Sequence, residues 1–431
     1  MSPKSGDLPA RDTGKIFRVR GDRLIFQDLA LYVIQGRIFI FPYGERKGRN
    51  APMKRHVMRC WKRTAAGLLA VLMLLGTGCS QSGGSAGSAA PETTPAQEVQ
   101  ETAGQTVTFV DDLGRELELE LPITRACVAN RYNNELIRAV GAGDCVVGVD
   151  IYTSQDSVYW PQFGEEETFG KDEYDYEKIV ALDPQVLIVP RNGQVEESIE
   201  KLEPFGIQVV VITGWDNADV PKQIRLCGAL FGKEEQAEEL VSFYQEPVDY
   251  ITRQLQQVEE RKTVYWEYGD DYSTCIPGTS NDGWHNMILM AGGENIFGDA
   301  SLAGKDIDPE QILLADPDLI VKIYAGEVVG NSGVFTAPPQ EEFAAKAEEM
   351  LQREGWQDLT AVKEGNFYLN TAFMSGGLGK MIGAAYMAKW LYPDLMTELD
   401  PDALFTQWMA YQGFEPNAQH YYHVPAQDAA A

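Results

Sequence analysis

The chain has 431 residues and 44% hydrophobic content, enough for two or three ordinary globular domains. Its charge is split: residues 1–79 carry 15 Lys/Arg and 5 Asp/Glu, whereas residues 80–431 carry 21 and 59. A folded part this acidic excludes nucleic acid and anionic membrane surfaces as partners, and its acidity serves either solubility or docking.

In chain order, the first feature is MKRHVMRCWKRTAAGLLAVLMLLGTGCS, beginning at Met53. Basic residues (Lys54, Arg55, Arg59, Lys62, Arg63) precede an apolar stretch from Ala65 to Gly76. About a dozen apolar residues are too few to span a bilayer but fit a secretory core. The core ends in Gly76-Thr77-Gly78-Cys79, which resembles a bacterial lipoprotein signal at residues 53–78, with Gly76 where Leu is usual. That resemblance implies that Cys79 is lipidated and becomes the mature N-terminus; the alternative is a plain secretory signal with a chance Cys. Residues 1–52 are expected to be an extension from an early start codon, because Glu45-Arg46-Lys47-Gly48 fits purine-rich codons just before Met53. Residues 79–104 are Ser/Gly/Ala/Pro-rich without apolar period and read as a flexible tether.

From Thr106 short β-rich runs alternate with helical stretches. TVTFVDD and RELELEL read as a hairpin around Leu113-Gly114. ACVAN, CVVGVD, VLIVPR and VVVIT read as strands, with NNELIRAVGAG and VEESIEKLEPFGI as helices between them. This alternation predicts an α/β lobe with a mainly parallel sheet over 105–230. Ala237, Leu240, Val241, Tyr244, Val248, Ile251, Leu255 and Val258 recur at steps of three and four, predicting one long helix within 231–261 that Pro247 should kink or break. A second lobe, 262–418, repeats the pattern with TVYWEYG, WHNMILMAGG, LIVKIY and NFYLN. The near copies DYEKIVALDPQVLIV, from Asp175, and DPEQILLADPDLIV, from Asp308, indicate two lobes built on one plan. Residues 419–431 read as a disordered tail. Cys127, Cys145, Cys227 and Cys275 sit in apolar contexts and are expected as buried thiols, with a Cys127–Cys145 disulfide open if their strands are neighbours.

The order of VTFVDDLGRELEL, RACVANRYNNELIRAVGAGDCVVGVD, EKIVALDPQVLIV, GTSNDGWHNMILMAGGENIFGD, PEQILLADPDLIV, WQDLTAVKEGNFYLN and MIGAAYMAKWLYPDL resembles the cobalamin- and ferric-siderophore-binding proteins of ABC importers, the class III substrate-binding proteins. The resemblance implies two Rossmann-like α/β lobes joined by a single rigid helix, with a ligand cleft between the lobes and only a small hinge motion. It implies an extracytoplasmic monomer that delivers a metal chelate to a permease dimer with its ATPase. A ferric siderophore is the first expectation, with corrinoid, heme and a molybdate-type oxyanion as alternatives. Glu177 and Glu310, equivalent in the two repeats, would dock onto permease arginines. Both also suit the first turn of a helix, where a carboxylate is favoured by the dipole.

Ligand in such a fold sits at the carboxyl ends of the strands. Those positions carry Arg131, Tyr132, Tyr152, Trp160, Arg191 and Trp215 in the first lobe, and Tyr268, Trp284, His285, Tyr324, Phe373 and Lys380 in the second. Arg131, Arg191 and Lys380 offer a local cationic focus for an anionic ligand, and the aromatic residues suit a large, partly apolar chelate. No direct metal site is expected: the chelator supplies the iron or cobalt ligands, and His285 is at most an axial ligand to heme. No cofactor of its own is expected. Enzyme readings fail at their motifs, since SGGLGKM has Met381 where a phosphate loop needs Ser/Thr, and GxSxG and HExxH do not occur. A reading of another class is a cell-surface interaction protein without a small ligand.

Overall fold

The computed structural model describes strand residues within 18–42, and residues 105–427 apart from 171–172, 217, 269–274, 281–282, 325–336 and 417–418. The signal 53–78, the tether 79–104 and the expected lipidation site Cys79 lie outside the described residues. The chain divides into two compact units, 1–95 and 96–431. In the first, β1 (Arg18–Val19), β2 (Arg23–Phe26), β3 (Leu29–Ile34) and β4 (Arg37–Pro42) form an antiparallel meander.

The second unit opens with the expected hairpin, β5 (Gln105–Val110) and β6 (Glu116–Leu121). Asp111, fully buried, organises its turn. Its carboxylate accepts from the backbone of Leu113 and Arg115 at 3.0 Å each, and from Val211 at 3.1 Å. The first lobe then runs through β7 (Ala126–Val128), α1 (Arg131–Ala139), β8 (Val146–Val149), α2 (Ile151–Ser154), α3 (Tyr176–Ala181), β9 (Val186–Val189), α4 (Val195–Leu202), β10 (Gln208–Val211) and α5 (Val220–Phe231). Its sheet has the order β10-β9-β7-β8 and is wholly parallel. VLIV of β9 is buried at all four positions, as a parallel strand covered on both faces requires.

The joining helix is α6 (Glu234–Leu255), 22 residues or about 33 Å long. Ala237, Leu240, Val241 and Tyr244 pack in the core of the first lobe, and Ile251 in that of the second. Pro247 does not break it. The ring is buried on the core face, where packing against α5 and against the second lobe holds the helix across the missing hydrogen bond.

The second lobe comprises β11 (Thr263–Tyr268), β12 (Ile276–Pro277), α7 (Gly283–Met290), β13 (Glu294–Asn295), α8 (Pro309–Ala315), β14 (Leu319–Tyr324), α9 (Gln340–Leu351), α10 (Thr360–Glu364), β15 (Phe367–Thr371), α11 (Gly379–Leu391), α12 (Pro401–Tyr411) and β16 (Tyr421–Val424). Its sheet runs β12-β11-β14-β15-β16, with β13 on β11; the β11-β14-β15 centre is parallel.

Two expectations are corrected. The tail read as disordered supplies β16, which pairs antiparallel with β15 over Tyr421–Val424. Alternate residues explain it: Val424 is buried, and Tyr422 stacks on Phe343. Cys127 and Cys145 lie on or beside neighbouring strands, yet both are free thiols. Cys127 is in register with Gly148, so Cys145 lies three residues back along the strand. At about 3.3 Å per residue that is roughly 10 Å, beyond the reach of a disulfide.

Candidate functional site between the lobes

The turn from β7 into α1 builds the first wall. Asn130 caps α1, accepting from the Tyr132 amide at 3.0 Å, and its own N–H donates to the Asp150 carboxylate at 2.7 Å. Asp150 is itself the cap of α2, its Oδ1 accepting from the Thr153 amide at 3.1 Å and hydroxyl at 2.8 Å, so the strand ends of β7 and β8 are held together. Burial pushes the Asp150 carboxyl above its ordinary value despite these hydrogen bonds. Asn133, fully buried one position beyond Tyr132, ties α1 to the end of β10. It donates to Ile212 O at 2.8 Å and accepts from Gly214 N at 2.7 Å.

These ties aim Arg131 and Tyr132 at the other lobe. Arg131 Nη2 donates to the Tyr132 hydroxyl at 2.9 Å, with the guanidinium 4.8 Å from the ring centre. The Tyr132 ring lies on Gly376 and Gly377 of the second lobe so closely that a Cβ on Gly376 would collide with the phenol. A second crossing lies nearby. Lys380, 5% exposed at the start of α11, donates from Nζ to the Trp215 carbonyl at 3.0 Å. Gly283, at the start of α7, leaves the room that this ammonium occupies.

Arg191 and Trp215 form a pair on the first lobe. The guanidinium is 5.0 Å from the indole centre, and the indole N–H donates to Asn192 at 3.2 Å. Arg191 is ion-paired to Asp216 and lies 3.9 Å from Asp112, so carboxylates of the protein already balance its charge. On the second lobe Trp284 stacks on Trp266 at 6.3 Å and meets Tyr268 at 4.7 Å. His285 is part-buried beside them, its Nδ1 3.4 Å from Asn295 Nδ2. Among the described residues no three His, Cys, Asp or Glu side chains come together to hold a metal ion.

Contacts across the lobes thus run from Tyr132 to Gly376 and from Trp215 to Lys380, whose ammonium lies against Gly283; Arg131 and Arg191 adjoin Tyr132 and Trp215, and Tyr268 and His285 adjoin Trp284. Other expected site residues lie elsewhere. Trp160 is 2% exposed in the first core, beneath the Arg138 guanidinium at 3.7 Å. Phe373 is buried against Phe405 at 4.4 Å. Tyr152 is 40% exposed on α2, and Tyr324 ends β14 with its side chain outside the described residues. Glu177 and Glu310 are both exposed in the first turns of α3 and α8, each two residues after a capping Asp, Asp175 and Asp308.

Sequence reasoning missed a buried ion cluster at the same end of the second sheet. Glu267 of β11 takes Lys322 of β14 at 3.0 Å, Arg353 at 2.7 and 3.0 Å, and the Tyr265 hydroxyl at 2.6 Å. Glu267 and Lys322 are both fully buried. The available signal was a lone charge inside each apolar strand run, YWEY and LIVKIY.

Two α/β lobes with parallel sheet centres, joined by one long helix, have the architecture of a two-lobed binding protein. The profile of the periplasmic binding protein family matches residues 127–372, more than half of the chain, and the chain belongs to that family. Its members are extracytoplasmic substrate-binding components of ABC importers, which work with a permease and its ATPase. An ABC transporter substrate-binding lipoprotein of Bacillus subtilis (strain 168), YvrC, is 25% identical over 273 residues, covering 62% of this chain and 79% of that one. The vitamin B12-binding protein of Pectobacterium atrosepticum is 23% identical over 207 residues, 47% of this chain and 73% of that one. Among solved structures, the TroA-like periplasmic binding protein FepB from Veillonella parvula superposes with a TM-score of 0.63 at 22% identity, covering 74% of this chain and all of that one. The Haemophilus influenzae molybdate-binding protein MolA superposes at 0.56 with 19% identity, covering 72% and 98%. These last two likenesses concern the fold. Among the described residues no helix is long and apolar enough to cross a membrane.

Proposed function

We propose that the protein is a lipid-anchored receptor that captures a metal chelate between its lobes and hands it to the permease. The observation that supports this reading is the pair of contacts across the lobes, Tyr132 on Gly376 and Lys380 on the Trp215 carbonyl, beside the packed pair Tyr268 and Trp284. Aromatic faces cover a large, partly apolar ligand, and few polar groups then fix its orientation. A ferric siderophore is the first ligand; the relatives named for vitamin B12 support a corrinoid as the second reading. Glu177 and Glu310 would provide the docking charges, and Cys79 the anchor.

The test is titration of the purified protein with a ferric catecholate, a ferric hydroxamate, cyanocobalamin, hemin and molybdate, read by tryptophan fluorescence. Trp215 and Trp284 are the reporters, since Trp160 is sealed in the core. Saturable change with one ligand class, weakened in Arg131→Ala, supports the receptor reading and selects the substrate. Lack of response to all five would favour an interaction protein without a small ligand. Charge reversal at Glu177 and Glu310 should abolish uptake of the selected ligand while leaving its binding intact.

A further inference from the structure

One turn into α1 from Arg131 lies a buried polar knot that the binding reading does not use. Glu135 is 3% exposed, and its Oε1 has no hydrogen-bond partner among the described residues. Arg138 Nη2, Asp156 Oδ2 and the hydroxyl of fully buried Tyr159 are in the same condition. Buried polar atoms are nearly always hydrogen-bonded, so four exceptions in one knot call for a physical account. The backbone around them is not loose. Gln412 donates to the Glu135 carbonyl at 3.0 Å and accepts from Arg138 Nε at 2.8 Å, while Arg138 Nη1 donates to Tyr159 O at 2.8 Å.

Glu135 follows Arg131 by four residues, which places both on one face of α1. The Arg131 guanidinium, itself buried, donates to the Tyr132 hydroxyl while staying within electrostatic reach of Glu135. We propose that Glu135 is a positioning residue for Arg131: protonated, it leaves the guanidinium at Tyr132 for an anionic group of the ligand; ionised, it draws the guanidinium inward and cancels its charge. This rests on the reading that Arg131 meets the ligand.

The surroundings set when this happens. Burial pushes the Glu135 carboxyl up to about 7, against the pull of Arg131 and Arg138 on its own helix, with Asp156 adding to the rise. Tyr159, the other titratable group of the knot, is held well above its ordinary value by burial and then by Glu135, so it stays neutral. Gln412, from the segment after α12, is uncharged. An anion at Arg131 disfavours ionised Glu135, so affinity rises as pH falls through neutrality.

Cyanocobalamin is a suitable probe because its phosphodiester stays ionised throughout this range. The expected result is affinity about tenfold weaker near pH 8.5 than near pH 5.5, the change that a one-unit shift of Glu135 on binding produces. Glu135→Gln, which mimics the protonated side chain, should hold the acid-side affinity at both. A flat wild-type profile, or an unchanged slope in Glu135→Gln, overturns the proposal. Infrared spectroscopy of the ligand-free protein separates the two readings. A protonated-carboxyl band that fades as pH rises in the wild type, and is missing in Glu135→Gln, establishes the titration by itself. If that band titrates but cyanocobalamin does not bind, only the corrinoid reading fails, and a ferric catecholate takes its place in the same pH series; a flat profile or no binding there overturns the proposal. If cyanocobalamin binds without pH dependence, only the proposal fails.

Discussion

Lys380 and Trp215 join the lobes: the lysine ammonium of the second lobe donates to the tryptophan carbonyl of the first at 3.0 Å. The ammonium is almost completely buried, so this contact is made away from water. It lies between the two reporters proposed for ligand, Trp215 and Trp284.

Lys380→Met keeps the aliphatic stem and removes the donor. Leaving the Trp215 carbonyl without it should cost about 1–3 kcal/mol. The urea midpoint should fall and the ligand-free tryptophan emission should move to the red as Trp215 gains water. An emission spectrum that superimposes on wild type would show that Lys380 does not hold Trp215 in place.

Gly376 is required by space rather than by backbone conformation. Its φ is −142°, an extended value that any residue adopts, but a side chain there meets the Tyr132 phenol. Gly376→Ala should therefore destabilise by about 1–3 kcal/mol, the range for overpacking. Tyr132→Ala should remove most of that penalty, and the double-mutant cycle should return a coupling well above 0.5 kcal/mol. Additive single effects would mean that the two lobes do not meet at this point. The neighbour Gly377 has a φ of 51° and would be strained by substitution whatever the space, so it is the poorer probe.

The two-lobed plan was legible because it is written in periodicity. Aliphatic runs such as VLIV fix buried parallel strands, and the repeated Asp-x-Glu at Asp175 and Asp308 marks equivalent helix starts. The positions of Arg131 and Trp215 next to strand ends were legible for the same reason. What failed was long-range context. Trp160 and Phe373 lie on loops that fold back under the core, which no local pattern records. Asn133 and Lys322 carry their information in partners 79 residues and 55 residues away, Ile212 and Glu267. The edge strand β16 was missed because its pairing partner β15 is about fifty residues upstream, a separation that only the folded sheet reveals.

Glu267 tests the buried ion cluster. Glu267→Gln keeps the shape but removes the carboxylate that Lys322 and Arg353 share. Breaking such a pair leaves a buried cation poorly compensated and costs about 3–5 kcal/mol. Urea unfolding should show that loss, and a change under about 1 kcal/mol would mean that solvent reaches the cluster. Because β11 ends in Tyr268, which packs on Trp284, the same variant should weaken ligand binding, though less than Arg131→Ala does.

Asp112 predicts a pH signature. Burial acts to raise its carboxyl, but hydrogen bonds from Thr213 at 2.7 Å, Lys222 at 2.9 Å and Gln223 at 2.7 Å outweigh it, and the carboxyl sits below the ordinary value. A carboxyl depressed in the folded state contributes stability above its unfolded value, and that contribution is lost as pH falls through the folded one. Thr213→Val removes one of these donors, so it should destabilise at neutral pH by about 1 kcal/mol. The difference from wild type should shrink as the medium becomes acidic enough to protonate Asp112 in both states. Thermal unfolding across an acid series measures it; a gap that stays constant down to the acid limit would show that Thr213 acts through packing and its bond from the Arg191 amide, not through Asp112. Asp112 also lies beside Arg191, so the same series reports whether the Arg191–Trp215 pair loosens in acid, through loss of the Trp215 signal.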